Sequence, residues 1–139
     1  MNLMFNVIIA THGNLATEFE RVLKSFFGKI DHLKVINLSD QGINTFSQKI
    51  DQVIAPCLNE PTIIFCDIAG GTPFNELAKR SINWHKQVAL FGGVNLPVLV
   101  ETLNMRMQEK NVNEVIGKIT AMSALIRFNM KNAKKAEDE

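Results

Sequence analysis

Phe5-Asn6-Val7-Ile8-Ile9-Ala10-Thr11-His12-Gly13-Asn14 decides how this chain is read. Its apolar, β-branched centre predicts a buried strand over about Met4–Ala10. His12 falls at the C-terminal end of that stretch, and Gly13 lets the chain turn into a helix. In open α/β sheets, ligands bind in the crevice beyond the carboxyl ends of the strands. A group able to act as nucleophile, base or metal ligand therefore stands where chemistry usually happens. A loop histidine that only caps a turn is the alternative.

Working outward, apolar strands alternate with amphipathic helical segments. Asn14 can cap a helix through about Phe27, with Leu15, Phe19, Val22, Leu23 and Phe26 on one face and Gly28 at its end. Leu33–Leu38 reads as a second strand. After the turn Ser39-Asp40-Gln41-Gly42, Ile43, Phe46, Ile50, Val53 and Ile54 mark another helix. Pro61 precedes a third strand, Thr62–Cys66, which ends on Asp67. Thr72-Pro73 opens a helix to about Ile82, and Gln87–Phe91 is a fourth strand. Gly92-Gly93 breaks it, and Asn95-Leu96-Pro97 starts the next helix. Four successive βα units predict an α/β fold with an open, mostly parallel four-stranded sheet, helices on both faces and right-handed crossovers. Beyond about Asn111 the pattern weakens. Val115, Ile116, Ile119 and Met122 suit a short helix after Asn113, and Ala124–Phe128 is apolar enough for a strand, though periodicity leaves helix and strand open there. Residues 1–130 are expected as one domain, and the charged, Ala-rich Lys131–Glu139 as a flexible tail.

Composition narrows the function. The 139 residues suit a single domain with a real core. The 15 basic and 14 acidic residues leave a net charge of +1, which offers no electrostatic footprint for nucleic acid or an anionic membrane. No apolar run approaches the ~20 residues that span a bilayer. Met1-Asn2-Leu3-Met4 has no basic segment ahead of the apolar stretch, so no secretory signal is read. Cys57 and Cys66 lack metal-ligand spacing and read as buried, reduced thiols, and the cytoplasm is the expected location.

Asp67 ends the third strand as His12 ends the first, and in a doubly wound sheet these two strands are often neighbours. A carboxylate accepting Nδ1–H of an imidazole fixes the tautomer, frees the Nε2 lone pair to attack and stabilises the imidazolium. A turn cap is the plainer reading of Asp67. In Gly70-Gly71-Thr72-Pro73-Phe74-Asn75, two glycines let backbone approach a ligand, with Thr72 as expected N-cap and Pro73 as first helical residue. Free N–H groups at that helix start, with the Thr72 hydroxyl, form an anion site; an ordinary tight βα turn is the alternative. The loop lacks the Walker A and dinucleotide fingerprints. His32 and His85 precede strands, on the edge opposite His12, and read as surface residues. The six methionines read as core filling.

Together these stretches resemble a known family. Thr11-His12-Gly13, Asp67-Ile68-Ala69-Gly70-Gly71-Thr72-Pro73-Phe74-Asn75 and Gly92-Gly93-Val94-Asn95-Leu96-Pro97-Val98-Leu99-Val100-Glu101-Thr102-Leu103 are similar, in order, to three motifs of the enzyme IIA component of the mannose family of the sugar phosphotransferase system. The resemblance covers the chain to about residue 105. It implies phosphoryl relay, with His12 as the phosphorylated histidine, Asp67 as its orienting carboxylate and Thr72 as the hydroxyl residue of the glycine loop. Gly13, Gly70, Gly71, Pro73, Phe74 and Asn75 would line the phosphate and partner rim. The donor would be the small histidine-containing phosphocarrier protein. The acceptor would be a histidine of enzyme IIB, ahead of the membrane IIC and IID subunits. No metal, nucleotide or other cofactor is implied at this step. In the family a C-terminal strand is exchanged between two subunits, antiparallel to the others, so a homodimer is expected, with Leu125–Phe128 as the candidate strand. Two departures stand out. Some members carry an aromatic residue where Ala69 stands. The chain also ends where others continue through a linker into IIB, so IIB is expected as a separate polypeptide.

Three rivals remain. The phosphocarrier subunit of a dihydroxyacetone kinase also uses a histidine after the first strand, but the Gly-Gly-Thr-Pro-Phe-Asn block favours the mannose family. A phosphorylation-dependent regulatory module would be expected to bring a DNA-binding or ATPase segment. A flavodoxin-like cofactor binder would be coloured when purified.

Overall fold

A computed structural model describes residues 4–131. The element order is β1 (Asn6–His12), α1 (Leu15–Phe27), β2 (Leu33–Leu38), α2 (Ile43–Ile54), β3 (Thr62–Cys66), α3 (Thr72–Arg80), β4 (Val88–Phe91), α4 (Leu96–Met107) and α5 (Val112–Thr120). Short 3-10 turns follow α2 at Ala55–Cys57 and α3 at Ser81–Asn83.

The sheet is entirely parallel, in the order β2-β1-β3-β4. Because β1 pairs with β2 on one side and β3 on the other, the chain reverses its winding direction between β1 and β3. Side-chain alternation then builds two cores. Phe5, Val7, Ile9, Ile63 and Phe65 point to one face, where they meet Ala16 and Leu23 of α1, Leu99 and Leu103 of α4, and Val115 and Ile119 of α5. Ile8, Ala10, Ile64 and Cys66 point to the other and meet Phe46 and Ile50 of α2 and Leu77 of α3. Cys57 and Cys66 are both free and buried in this second core. Burial pushes the Cys66 thiol up to about 12, with the neighbouring Asp67 charge adding to the effect.

Local boundaries differ from expectation for identifiable reasons. β1 runs to His12, beyond the expected Ala10, because pairing with β2 continues through Thr11↔Asn37 and His12↔Leu38 after pairing with β3 has stopped at Ala10↔Cys66. The Asn14 side chain does not cap α1; the buried Thr11 hydroxyl takes that role, accepting the Ala16 N–H at 2.7 Å. Thr72 is not an N-cap either. Gly71 holds that position and Thr72 is the first helical residue, so Pro73 stands one place further in. Asn95 does cap α4, accepting from Val98 N–H at 3.0 Å. α5 begins at Val112, earlier than expected, because Asn111 caps it by accepting from Glu114 N–H.

The expected strand at Leu125–Phe128 does not form within the chain: residues 122–129 carry no regular structure. Leu125, Ile126 and Phe128 are 95%, 84% and 66% exposed, and among the described residues no strand pairs with them. Of the expected tail, 132–139 lie outside the described residues. Among the described residues, no helix is long and apolar enough to cross a membrane.

Candidate functional site

The winding reversal puts the ends of β1 and β3 side by side, and the residues leaving them are His12 and Asp67. Asp67 Oδ2 accepts two hydrogen bonds from His12, one from the backbone N–H at 3.1 Å and one from Nδ1 at 2.9 Å. Its other oxygen accepts the Ile68 N–H at 3.0 Å, so the carboxylate caps its own turn as well as orienting the ring. One oxygen thus faces His12 and the other the turn after β3. Burial alone would raise the Asp67 carboxyl, but the side-chain and backbone hydrogen bonds from His12 outweigh it and hold the group below the usual carboxylate range. The Asp67 side chain is 13% exposed and that of His12 43%, so the carboxylate is screened while the imidazole is open to an incoming group.

With Nδ1 donating to the carboxylate, Nε2 carries the free lone pair. Gly13, at φ +56°, turns the chain away immediately after His12 and donates its N–H to Leu38 carbonyl. The β3–α3 loop closes the other side. Its Gly71 lies so near the ring that a Cβ there would come within 3.1 Å of His12 Cε1. Cε1 lies between the two ring nitrogens, so α3 begins beside the imidazole edge. The first N–H groups of α3 have no carbonyl of their own helix to bond, and its N-terminus carries partial positive charge. The half-buried Thr72 opens that helix. Asn75 donates through Nδ2 to Gly70 carbonyl at 2.9 Å, tying the glycine loop to the helix it precedes. Ile68, 57% exposed, gives the loop an apolar outer surface.

His32 and His85 are exposed and follow the opposite plan. His32 adopts a left-handed backbone, φ +56°, before β2 and pairs its Nδ1 with Asn6 Oδ1 at 3.0 Å. His85 precedes β4. Neither joins His12. Two contributors were given no role at the site from sequence: Thr11, whose hydroxyl fixes the start of α1, and Gly93, whose N–H donates to Asp67 carbonyl at 3.0 Å. A threonine at an inward-facing strand end, one residue before a candidate nucleophile, was the available signal for the first.

This is a doubly wound α/β protein with a carboxylate-oriented histidine at its switch point. Residues 6–120 match the family described as PTS system fructose IIA component, and the chain belongs to that family, the enzyme IIA components of the mannose, fructose and sorbose branch of the phosphotransferase system. It is 30% identical over 122 residues to the PTS system fructose-specific EIIA component of Bacillus subtilis strain 168, covering 86% of this chain and 82% of that one. It is 27% identical over 112 residues to the PTS system mannose-specific EIIAB component of Escherichia coli strain K12, covering 79% of this chain and 34% of that protein. The solved structure of the PTS IIA protein associated with the fucose utilization operon from Streptococcus pneumoniae superposes with a TM-score of 0.73 at 26% identity, over 93% of this chain and 96% of that one.

Proposed function

We propose that the protein is a phosphoryl carrier, accepting a phosphoryl group on His12 Nε2 from the histidine-containing phosphocarrier protein and passing it to a histidine of enzyme IIB. The observation that carries this reading is the 2.9 Å contact of His12 Nδ1 with Asp67 Oδ2, which leaves Nε2 as the nucleophile. As the new P–Nε2 bond forms, the donor's P–N bond breaks. The donor ring leaves as neutral imidazole and the positive charge passes to the His12 ring. That charge lies against a carboxylate already held ionised. Transfer between two imidazoles is nearly balanced in energy, so the protein's task is to position reactants and offset phosphoryl charge. The Thr72 hydroxyl and the free N–H groups opening α3 supply the second, and Gly13, Gly70, Gly71, Pro73, Phe74 and Asn75 form the rim against which partners seat. No metal or nucleotide is required, and the cytoplasm, facing the membrane IIC and IID subunits through IIB, is the place for such a relay.

A homodimer belongs to the same proposal. Among the described residues, no strand pairs with the outer edge of β4. Phe65, Phe91, Val98, Ile119 and Met122 line a groove in the face beside it. The exposed Leu125–Phe128 stretch of a second copy would cover both.

The test is discharge of the phosphorylated protein. Purified IIB of the mannose family should take the phosphoryl group within seconds. Failure to discharge to IIB, with discharge to a dihydroxyacetone kinase subunit instead, would reject the transport reading while keeping the carrier chemistry.

A further inference from the structure

We propose that the Gly92-Gly93 turn after β4 is a positioning element for His12, setting the height of the β3–α3 loop that holds the imidazole. The inference rests on the reading of His12 as phosphoryl acceptor. Neither glycine touches the ring, and both act through the loop.

Three links connect them. First, Gly92 sits against the loop's backbone: a Cβ there would come within 2.6 Å of the N, Cα and Cβ of Ala69. Two of those atoms are main chain, so no side-chain rotation relieves the contact and the loop itself would have to move. Gly92 does not have a left-handed φ, whereas Gly93 does, at +79°. Gly92 is therefore glycine for want of space, and Gly93 for the turn. Second, the turn is bonded to the strand end that carries the carboxylate: Gly93 N–H donates to Asp67 carbonyl and Val94 N–H to Cys66 carbonyl, both at 3.0 Å. Asn95 Nδ2 donates back to Gly93 carbonyl at 3.2 Å, fastening the turn to the cap of α4. Third, the loop passes close to the ring at its far end, where a Cβ on Gly71 would stand 3.1 Å from His12 Cε1. A shift outward at Ala69 moves Gly71, two residues on, away from the ring, and Asp67, two residues back, off Nδ1.

The substitution Gly92→Ala tests this, with Gly117→Ala as control, since Gly117 on α5 has open space around it and an ordinary backbone. Gly92→Ala should retain its far-UV dichroism but take up phosphoryl about tenfold more slowly or worse in single-turnover experiments with phosphorylated carrier. Its His12 nitrogen resonances should show mixed tautomers where the wild type shows one Nδ1–H form. Gly117→Ala should match the wild type in both. A folded Gly92→Ala protein with wild-type rate and tautomer overturns the proposal. Should Gly92→Ala fail to fold, amide exchange in the wild type decides. The Gly93 and Val94 amides should be protected like those of β3, and exchange as fast as free loop amides overturns it. If the wild type itself accepts no phosphoryl, the relay reading fails, and the tautomer change in Gly92→Ala still decides the positioning role.

Discussion

His12 and Asp67 show what residue placement can and cannot carry. Both were legible because each ends a short apolar run, and a switch between neighbouring parallel strands brings such ends together. The division of labour within the carboxylate was not legible, because the bond from Oδ1 to Ile68 N–H depends on the tight turn after β3. Replacing Asp67→Asn should keep the fold and slow phosphoryl uptake by at least about a hundredfold, since an amide cannot balance an imidazolium charge; stopped-time labelling with phosphorylated carrier measures it. The same substitution has a pH signature. Asp67 titrates lower in the folded protein than in the unfolded chain, so it adds stability above about pH 4, the ordinary carboxylate value, and loses it as pH falls through its folded value. The stability gap between wild type and Asp67→Asn, read from urea midpoints, should therefore be widest near neutrality and close on acidification. A nearby thiol makes a contrasting prediction. Cys66 is fully buried with its thiol pushed up to about 12, so neither it nor the buried Cys57 should react with a disulfide reagent at pH 8 until the protein is unfolded.

At the scale of elements, apolar patterning with the Pro, Gly and cap residues located every strand and helix of the four βα units, while several of their ends were set by contacts that such patterns do not encode. α1 begins where Thr11 Oγ1 accepts Ala16 N–H, a bond between a strand residue and the helix after it. Local cap preference points to Asn14, which is exposed and leaves its side chain uninvolved in the cap. Similarly, Thr72-Pro73 matches an N-cap followed by its proline, yet Gly71 holds the cap position, where a Cβ would crowd the His12 ring at 3.1 Å. Thr11→Val keeps the shape and removes the acceptor, leaving the buried Ala16 N–H without a partner. The expected loss is about 1–2 kcal/mol of stability in denaturant unfolding.

Across the whole molecule, α4 is fastened to the bottom of the sheet by one buried arginine. Arg106 donates through Nη1 to the carbonyls of Phe5 at 2.9 Å and His32 at 3.2 Å, and through Nη2 to that of Asp31, while its guanidinium lies 5.6 Å from the Phe5 ring centre. Those bonds join the start of β1, the turn before β2 and the last turn of α4. Arg106→Met should cost about 1–3 kcal/mol by denaturant unfolding, because it takes the arginine donor from the buried Phe5 carbonyl, whereas the His32 carbonyl keeps the Val7 N–H. Nothing local marks Arg106 for this task, since its partners lie 74 to 101 residues away in the chain. The C-terminal segment was legible only as an apolar run. If the proposed exchange with a second copy forms, light scattering should report a dimer that is lost when the chain is truncated after Met122.

The chemistry at His12 is tested most directly by phosphorylating the protein with phosphoenolpyruvate and the upstream relay proteins, then recording its phosphorus and nitrogen spectra. One acid-labile, base-stable phosphoryl group should appear on His12 Nε2, with Nδ1 still protonated against Asp67, and His12→Ala should take up none. A phosphoryl group on Nδ1, on another residue, or undiminished in His12→Ala would contradict the assignment.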